Sequence, residues 1–216
     1  MKLFIDSAII EEINHAWQLG IIDGVTTNPS LILKSGRRVK DVLLDIANVV
    51  NDNISGEVIS QDVEGMIQEA HELMKISPKI VIKVPMTADG LHAVRILKEQ
   101  HIRTNVTLVF SPAQALLAAK AGATFISPFL GRLDDIDEDS LSCLRDIHTI
   151  LQNYHFDTQI ICASIRSIHH IVECAKIGAD IATVPYPILM SMFSHPLTDQ
   201  GIERFLRDYE QSLKSS

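Results

Sequence analysis

The segment TNVTLVFSPAQALLAAKAGATFISPF, residues 104–129, decides the fold. It opens with a run of β-branched and apolar residues that is typical of a strand. Ser111 and Pro112 then form the N-cap and the first position of a predicted helix, and Gly122 ends that helix. A second strand-like run follows at residues 125–129. Two strands joined through one helix predict a parallel pair with a crossover connection.

The same alternation of strand and helix continues along the chain. An open doubly wound sheet is the alternative to a barrel, but it usually carries a glycine-rich loop after its first strand, and the stretch FIDSA at residues 4–8 has no glycine. We therefore predict an α/β fold, a closed (β/α)8 TIM barrel that spans residues 1–216 as a single domain. Its eight strands are expected at residues 3–6, 24–28, 54–59, 80–85, 104–110, 125–129, 159–165 and 181–185.

One segment remains after eight units. Residues 198–213 carry an apolar stripe at helical spacing, formed by Ile202, Phe205, Leu206, Tyr209 and Leu213. This pattern predicts an extra C-terminal helix, which has to dock on its own barrel or on a neighbouring subunit.

Composition limits the classes of partner. The chain has 46% hydrophobic and 21% charged residues, which suits a globular protein with one sizeable core. The formal net charge of −8 argues against a nucleic acid or an anionic membrane as partner. The three cysteines lack metal-site spacing, and no apolar run has the length of a signal peptide core or a membrane span. We expect a soluble cytoplasmic protein.

Polar residues gather where the predicted strands end, which is where a barrel carries its active site. Thr26 with Asn28, Asn105 with Thr107, and Ser164 with Arg166 are each two residues apart, so each pair is expected to share one face of a strand. One such residue alone is usually a turn former or a helix cap. Seven consecutive strands with polar ends instead predict one shared pocket, with Asp6, Thr26, Asn28, Glu57, Lys83, Asn105, Thr107, Ser127, Arg132, Ser164 and Arg166 around it.

Lys83 is the unusual member of this set, because it lies between Ile82 and Val84 in the stretch KIVIKVPMT, residues 79–87. A lysine in a strand can be an edge residue whose amine reaches water, but a closed barrel has no free edge. An apolar wall penalises the ammonium form, so we expect a neutral amine. A neutral amine attacks a carbonyl and forms a Schiff base, which allows an adjacent C–C bond to break. This chemistry needs neither a metal nor a cofactor.

The remaining polar residues fit a sugar phosphate as substrate. Asp6 and Glu57 are carboxylates for proton transfer, and the amides and hydroxyls of the set suit substrate hydroxyl groups. Arg132 and Arg166, with Ser164, suit a phosphate group. The alternative for each arginine is a surface ion pair, and it is stronger for Arg132 because GRLDDIDED surrounds it with acids.

Several motifs resemble one known family. The stretches GVTTNPSL, VIKVPMTADG, TNVTLVFSPAQALLAA, SPFLGRLDD, ASIR and HPLTDQGIERFLRDY are similar to those of the small transaldolase family, which includes the fructose-6-phosphate aldolases. The resemblance implies a Schiff-base lysine at Lys83 and an acid/base carboxylate at Asp6. It implies substrate ligands at Asn28, Asn105, Thr107 and Ser127, a phosphate site at Arg132, Ser164 and Arg166, and a water held between Glu57 and Thr107. It also implies a ring-shaped homodecamer in which the C-terminal helix reaches over a neighbour.

Two positions distinguish the branches of this family. Its simple aldolases carry Gln and Tyr where this chain has Glu57 and Phe129, so both positions resemble the transaldolase type. The resemblance then implies transfer of a dihydroxyacetone unit from sedoheptulose 7-phosphate to glyceraldehyde 3-phosphate. The alternatives are a fructose-6-phosphate aldolase and a sugar-phosphate-binding protein without catalysis.

Overall fold

A computed structural model describes residues 1–214 of the chain. In these residues eight parallel strands form a closed barrel. Each strand pairs with the next strand in the sequence, and the first strand also pairs with the eighth. The predicted (β/α)8 barrel with an extra C-terminal helix is confirmed. Residues 215–216, which complete the predicted domain of 1–216, lie outside the described part.

The strands and helices alternate as follows. The strands are β1 (Lys2–Asp6), β2 (Gly24–Thr26), β3 (Ile54–Glu57), β4 (Ile80–Pro85), β5 (Thr104–Val109), β6 (Phe125–Pro128), β7 (Gln159–Cys162) and β8 (Ile181–Val184). The helices are α1 (Ile10–Gln18), α2 (Pro29–Ser35), α3 (Val39–Val49), α4 (Val63–Met74), α5 (Ala88–Glu99), α6 (Pro112–Ala121), α7 (Leu130–Asp134), α8 (Ser140–Asn153), α9 (Ile168–Ile177), α10 (Tyr186–Ser191) and α11 (Pro196–Lys214).

Local sequence signals fix where the helices begin and end. The predicted cap Ser111 accepts a hydrogen bond from the backbone N–H of Gln114, with Pro112 at the first helical position. Gly122 follows the same helix in the left-handed conformation at φ +93°, as its predicted role as a helix stop requires. Both signals therefore act as the sequence predicts, and they set the direction in which α6 returns to the next strand.

Inside the barrel, the side chains change from apolar to polar along the strands. The lower layer is a cluster of five buried apolar residues: Phe4, Val81, Phe125, Ile161 and Ile181. The residues two positions further along the same strands, which share their face, all line one cavity: Asp6, Lys83, Ser127, Ala163 and Thr183. The apolar layer closes the barrel below this cavity.

Gly24 makes room for the lower layer. A Cβ atom at this position would lie 2.8 Å from the ring of Phe4 and 2.7 Å from the backbone oxygen of Asn53. The register pairs Gly24 with Phe4 across β1 and β2. A glycine is needed here because the Phe4 ring takes the space that a side chain would fill.

Six of the predicted strands end one to three residues earlier than expected, and at β2 and β7 this changes the position of site residues. β2 ends at Thr26, so Asn28 is the N-cap of α2 rather than a strand residue. β7 ends at Cys162, so Ser164 and Arg166 lie in the following loop, and Ser164 adopts φ +57°. The prediction that Ser164 and Arg166 share one face of a strand is therefore wrong, because a left-handed residue interrupts the alternation of an extended chain.

The C-terminal helix α11 begins at Pro196, two residues before the predicted segment of 198–213, and none of its residues is buried. Phe205 is 72% exposed and Tyr209 is 64% exposed. The amphipathic stripe thus does not dock on its own barrel. No helix within residues 1–214 is long and apolar enough to cross a membrane.

Candidate active site

A cavity of about 370 Å³ opens at the carboxyl ends of the strands. This volume lies within the range of sites that bind small molecules. All predicted site residues except Arg166 line it, and the cavity residues are Asp6, Thr26, Asn28, Pro29, Ser30, Leu31, Lys34, Glu57, Lys83, Asn105, Thr107, Leu108, Ser127, Phe129, Arg132, Ala163, Ser164 and Thr183. The predicted shared pocket exists because closure of the sheet brings the strand ends together.

Lys83 lies in this cavity with only 6% of the residue exposed. Its Nζ is 2.9 Å from Glu57 Oε2 and donates a hydrogen bond to the backbone oxygen of Thr27 at 3.2 Å. The prediction that the amine of Lys83 has apolar surroundings is therefore wrong. Only the neighbours of Lys83 along β4 are apolar. The strand register explains why a carboxylate lies beside this amine. Glu57 of β3 and Asn105 of β5 pair directly with Lys83 and point to the same side of the sheet.

Two buried oxygen atoms in the cavity have no hydrogen-bond partner among residues 1–214: Glu57 Oε2 and Thr107 Oγ1. Glu57 Oε2 nevertheless lies 2.9 Å from Lys83 Nζ. The two observations agree if the ion pair is close but lacks the angles of a hydrogen bond. Buried oxygens without a partner are rare in folded proteins, because each loses its bonds to water. Both residues line the cavity.

Asp6 is the second carboxylate of the cavity. Burial raises its pKa above the ordinary value of 3.8, and the negative charge of Glu57 adds to this effect. A hydrogen bond from Thr26 Oγ1 to Asp6 Oδ1 at 2.7 Å and the charge of Lys83 act in the opposite direction, but burial dominates. Asp6 does not cap the following helix, whose N-cap is Ile9, with a backbone N–H that donates to Ser7 Oγ at 3.1 Å. A carboxyl with a raised pKa is suited to exchange protons with a substrate.

Two amide side chains are held in fixed orientations. Ser127 Oγ donates to Asn105 Oδ1 at 2.8 Å, and Asn105 Nδ2 donates to Ser55 Oγ at 3.4 Å. Asn28 Oδ1 accepts a hydrogen bond from the backbone N–H of Leu31. Asn28 is therefore both a helix cap and a cavity residue. A polar residue at the end of a strand can thus cap a helix and line the site at the same time. Its Nδ2 is left to donate into the cavity.

The two predicted phosphate-binding arginines occupy different environments. Arg166 donates to both carboxylate oxygens of Asp135, at 2.9 and 2.6 Å, and does not line the cavity. Arg132 lines the cavity and makes no hydrogen bond or ion pair with any residue between 1 and 214. The expectation that acidic neighbours compromise Arg132 more than Arg166 is wrong, because the chain turns at Ser164 and carries Arg166 towards Asp135 instead.

Sequence reasoning missed seven of the cavity residues, and Lys34, Thr183 and Leu108 are the most informative of them. Lys34 lies one helical turn after Leu31 on α2, and this spacing could have revealed it. Thr183 shares the inward face of β8 with Ile181, so strand parity could also have found it. Leu108 enters the cavity because β5 has a register shift between Val106 and Val109, where Leu108 adopts φ +61°. We find no signal in the sequence that predicts this bulge.

Within the described part of the chain, no group of three or more His, Cys, Asp or Glu residues could hold a metal ion. The three cysteines are free thiols, and Cys162 and Cys174 are buried.

Comparison with known proteins gives consistent matches over nearly the whole chain. Residues 3–216 match the model of a family described as Transaldolase/Fructose-6-phosphate aldolase. A protein named "Probable transaldolase" from Geotalea uraniireducens is 56% identical over 214 residues, which cover 99% of this chain and 100% of that protein. Another of the same name from a Thermoanaerobacter species is 58% identical over 212 residues, with 98% of each chain covered.

A solved structure supports the fold. The chain superposes on 3-hexulose-6-phosphate synthase with a TM-score of 0.63, covering 86% of this chain and 90% of the other. The sequences are 16% identical, so this likeness concerns the barrel alone.

Asp6→Asn should change how stability depends on pH. Because the pKa of Asp6 is raised in the folded state, folding favours its protonated form, and Asp6 lowers the free energy of unfolding as pH rises above 3.8. Asn cannot ionise, so the stability of the variant relative to the parent protein should increase as the pH rises above 3.8. Urea unfolding at a fixed protein concentration measures this difference.

Asp41→Asn is the control with the opposite sign. The hydrogen bond from Arg38 lowers the pKa of Asp41, so this variant should lose stability relative to the parent at neutral pH, and the difference should shrink as pH falls. An Asp6→Asn difference that stays constant across the pH range would contradict the raised pKa.

Proposed function

The chain belongs to the transaldolase/fructose-6-phosphate aldolase family, and from this premise we propose that it is a transaldolase. It transfers a dihydroxyacetone unit between sugar phosphates, from sedoheptulose 7-phosphate to glyceraldehyde 3-phosphate, giving erythrose 4-phosphate and fructose 6-phosphate. The observation that carries this proposal is the amine of Lys83, buried in the barrel mouth at 2.9 Å from the carboxylate of Glu57.

The first step is imine formation at Lys83. Glu57 accepts a proton from the ammonium group, and the neutral amine adds to the ketose carbonyl carbon. The hydroxyl group of this adduct leaves as water with the proton that Glu57 accepted, and a protonated imine remains. The unpartnered oxygens Glu57 Oε2 and Thr107 Oγ1 support a relay role, because together they can bind the water that enters or leaves in this step.

Cleavage and transfer follow from the imine. Asp6 accepts the proton of the C4 hydroxyl, the C3–C4 bond breaks, and its electron pair moves into the protonated imine to form an enamine. The aldose product leaves. The enamine carbon then attacks the carbonyl of the acceptor aldose, whose oxygen takes the proton back from Asp6. The raised pKa of Asp6 supports this role, since the same group must hold a proton between the two half-reactions.

Phe129 favours transfer over simple cleavage. Its side chain lines the cavity and packs edge to face against Phe110, with 5.9 Å between ring centroids. A phenyl ring has no proton to give, so the enamine is not quenched at this position and can wait for an acceptor. A hydroxyl there would favour release of free dihydroxyacetone, as in the fructose-6-phosphate aldolase alternative.

The substrate hydroxyl groups and the phosphate have separate ligands in this proposal. Asn28, Asn105 and Ser127 bind the hydroxyls of the dihydroxyacetone unit, and Thr26 contributes through Asp6. Arg132 is the principal phosphate ligand, with Ser164 beside it in the cavity wall. Arg166 joins them only if it leaves Asp135, so we assign it a secondary role.

We also propose that the chain assembles into a ring of identical copies, a homodecamer by family resemblance. The exposed apolar stripe on α11 supports a neighbouring copy as its partner, because burying Phe205 and Tyr209 there removes large apolar surfaces from water. Sugar phosphates are the proposed small-molecule partners. The cytoplasmic location remains a prediction from the sequence.

Turnover should depend on an acceptor. With fructose 6-phosphate alone, the enzyme should release little dihydroxyacetone, and addition of erythrose 4-phosphate should give rapid formation of sedoheptulose 7-phosphate. Chromatographic analysis of the products measures both. Equal cleavage with and without the acceptor would support the aldolase instead. Phe129→Tyr should increase release of dihydroxyacetone, because it returns a hydroxyl to the cavity.

Borohydride trapping is the control for the chemistry. Reduction in the presence of fructose 6-phosphate should inactivate the protein and attach the sugar to the peptide that contains Lys83. Lys83→Arg should fold and remain unlabelled at this peptide. A sugar adduct on another lysine, together with loss of activity, would reject the assignment, and a protein that binds sugar phosphates without an adduct would be the non-catalytic alternative.

Removal of Arg132 should act through the phosphate group. Arg132→Ala should raise the KM for fructose 6-phosphate about 10- to 150-fold, since a hydrogen bond to a charged group contributes about 1.5–3 kcal/mol. Its effect on unphosphorylated dihydroxyacetone as donor should be small. Arg166→Ala is the matched variant and should raise the KM less, because Arg166 is paired with Asp135. Similar losses with both donors would make Arg132 a structural residue.

The oligomeric state tests the role of α11. Light scattering should give a mass many times that of one 24.0 kDa chain. Phe205→Glu should weaken the assembly, because it introduces a charge into the apolar stripe. Gln211→Glu introduces the same charge on the opposite face of α11 and should leave the assembly intact. A parent protein that measures as a monomer would refute the proposal.

A further inference from the structure

A chain of two hydroxyl groups leads to the carboxylate of Asp6. Thr183 Oγ1 lies 2.5 Å from Thr26 Oγ1, which lies 2.7 Å from Asp6 Oδ1. Thr26 and Thr183 are each only 3% exposed, and they come from β2 and β8, the two strands beside β1. The barrel therefore builds this chain from three adjacent strands.

The direction of these hydrogen bonds follows from counting protons. An ionised carboxylate can only accept, so Thr26 gives its single hydroxyl hydrogen to Asp6 Oδ1. Thr26 then has no hydrogen left for Thr183. The contact between the two hydroxyls requires a donor, so Thr183 donates to Thr26. Both hydroxyl hydrogens thus point towards the carboxylate.

Counting hydroxyl hydrogens also shows which oxygen of Asp6 carries the proton when the carboxyl group is protonated. A proton on Oδ1 that points at Thr26 would make Thr26 donate to Thr183 instead, and the hydrogen of Thr183 would lose its only hydrogen-bond acceptor among the described residues. A buried donor without an acceptor is costly. A proton on Oδ2 leaves the chain unchanged. Oδ2 makes no hydrogen bond within residues 1–214, and Asp6 is a partly exposed cavity residue.

We propose that Thr183 is a positioning residue that fixes the hydroxyl of Thr26, so that Asp6 exchanges its proton with the substrate through Oδ2. The direction of the hydroxyl chain stands on the geometry alone, and its use in catalysis rests on the proposed transaldolase function. Thr183 itself touches neither the amine of Lys83 nor the reacting carbons in this account. It acts by keeping Oδ1 occupied.

The other charged groups around Asp6 are the same for every variant of Thr183. Lys83 of β4 and Glu57 of β3 are the charges that act on Asp6, and Lys34 of α2 and Arg132 of α7 line the same cavity. A change at Thr183 alters the hydroxyl chain and the cavity wall at that position, but none of these charges. A shift in the titration of Asp6 can then be attributed to that chain.

Thr183→Val removes the hydroxyl and keeps the branched shape of the side chain. Thr26 becomes a weaker donor when no hydroxyl donates to it, so the carboxylate is less stabilised and the pKa of Asp6 should rise further. We expect the acidic limb of the kcat profile for transfer to move up by about 0.1–0.7 pH units, which corresponds to one tenth to one third of a charged hydrogen bond. Thr183→Ser should return the limb to its parent position.

Thr158→Val is the matched control, because Thr158 is also a buried threonine whose hydroxyl is bonded, here to the backbone oxygen of Ala123 at 2.7 Å. It should lower stability without moving the profile. If Thr183→Val does not fold, Thr183→Ala also lacks the hydroxyl and carries the same test.

A second readout does not depend on activity. The carboxyl carbon of Asp6, labelled with ¹³C and assigned with Asp6→Asn, should titrate at higher pH in Thr183→Val than in the parent protein or Thr183→Ser. This titration separates the two proposals, since it can succeed in a protein that shows no transfer. The inference is overturned if Asp6 titrates alike in all three, or if Thr158→Val shifts it as much as Thr183→Val.

Discussion

Closure of the sheet is the constraint on which the rest of the structure depends. Eight parallel strands joined edge to edge must direct every second side chain into one narrow interior. The lower part of this interior is filled by five apolar residues from β1, β4, β6, β7 and β8. Four of the five residues two positions further along, namely Asp6, Lys83, Ser127 and Thr183, carry polar groups that line a cavity. On these strands the apolar core and the candidate site are thus only two residues apart.

This arrangement explains how a lysine can be buried in a strand. The register that places Glu57 beside Lys83 is the register of the barrel, and it also brings Asn105 to the other side of the same lysine. The ion pair offsets part of the cost of removing an ammonium group from water. It also leaves Glu57 with an oxygen that lacks a hydrogen bond, together with Thr107. Such incompletely satisfied groups are costly in a core but useful where a substrate or water binds.

The loops beyond the strands add what the closed sheet cannot provide. Ser164 in a left-handed conformation and the bulge at Leu108 both occur at the cavity, where an irregular backbone redirects side chains. The turn at Ser164 separates Arg166, which pairs with Asp135, from Arg132, which is free to meet a ligand. Two arginines that look equivalent in the sequence therefore have different electrostatic surroundings.

The sequence by itself determined the order of the elements, the caps that bound α6, the face to which most strand residues point, and thereby most of the cavity. These features are local, because a cap or an alternation depends on residues within a few positions of one another. Only the tertiary structure decided which acid meets Lys83, where β7 ends and turns, and that Thr183 reaches Asp6 through Thr26. Those contacts join residues that are 20 to 157 positions apart, and they depend on strand register and loop geometry. The apolar stripe of α11 stays exposed in the structure of residues 1–214, so the fold of a single chain does not bury it.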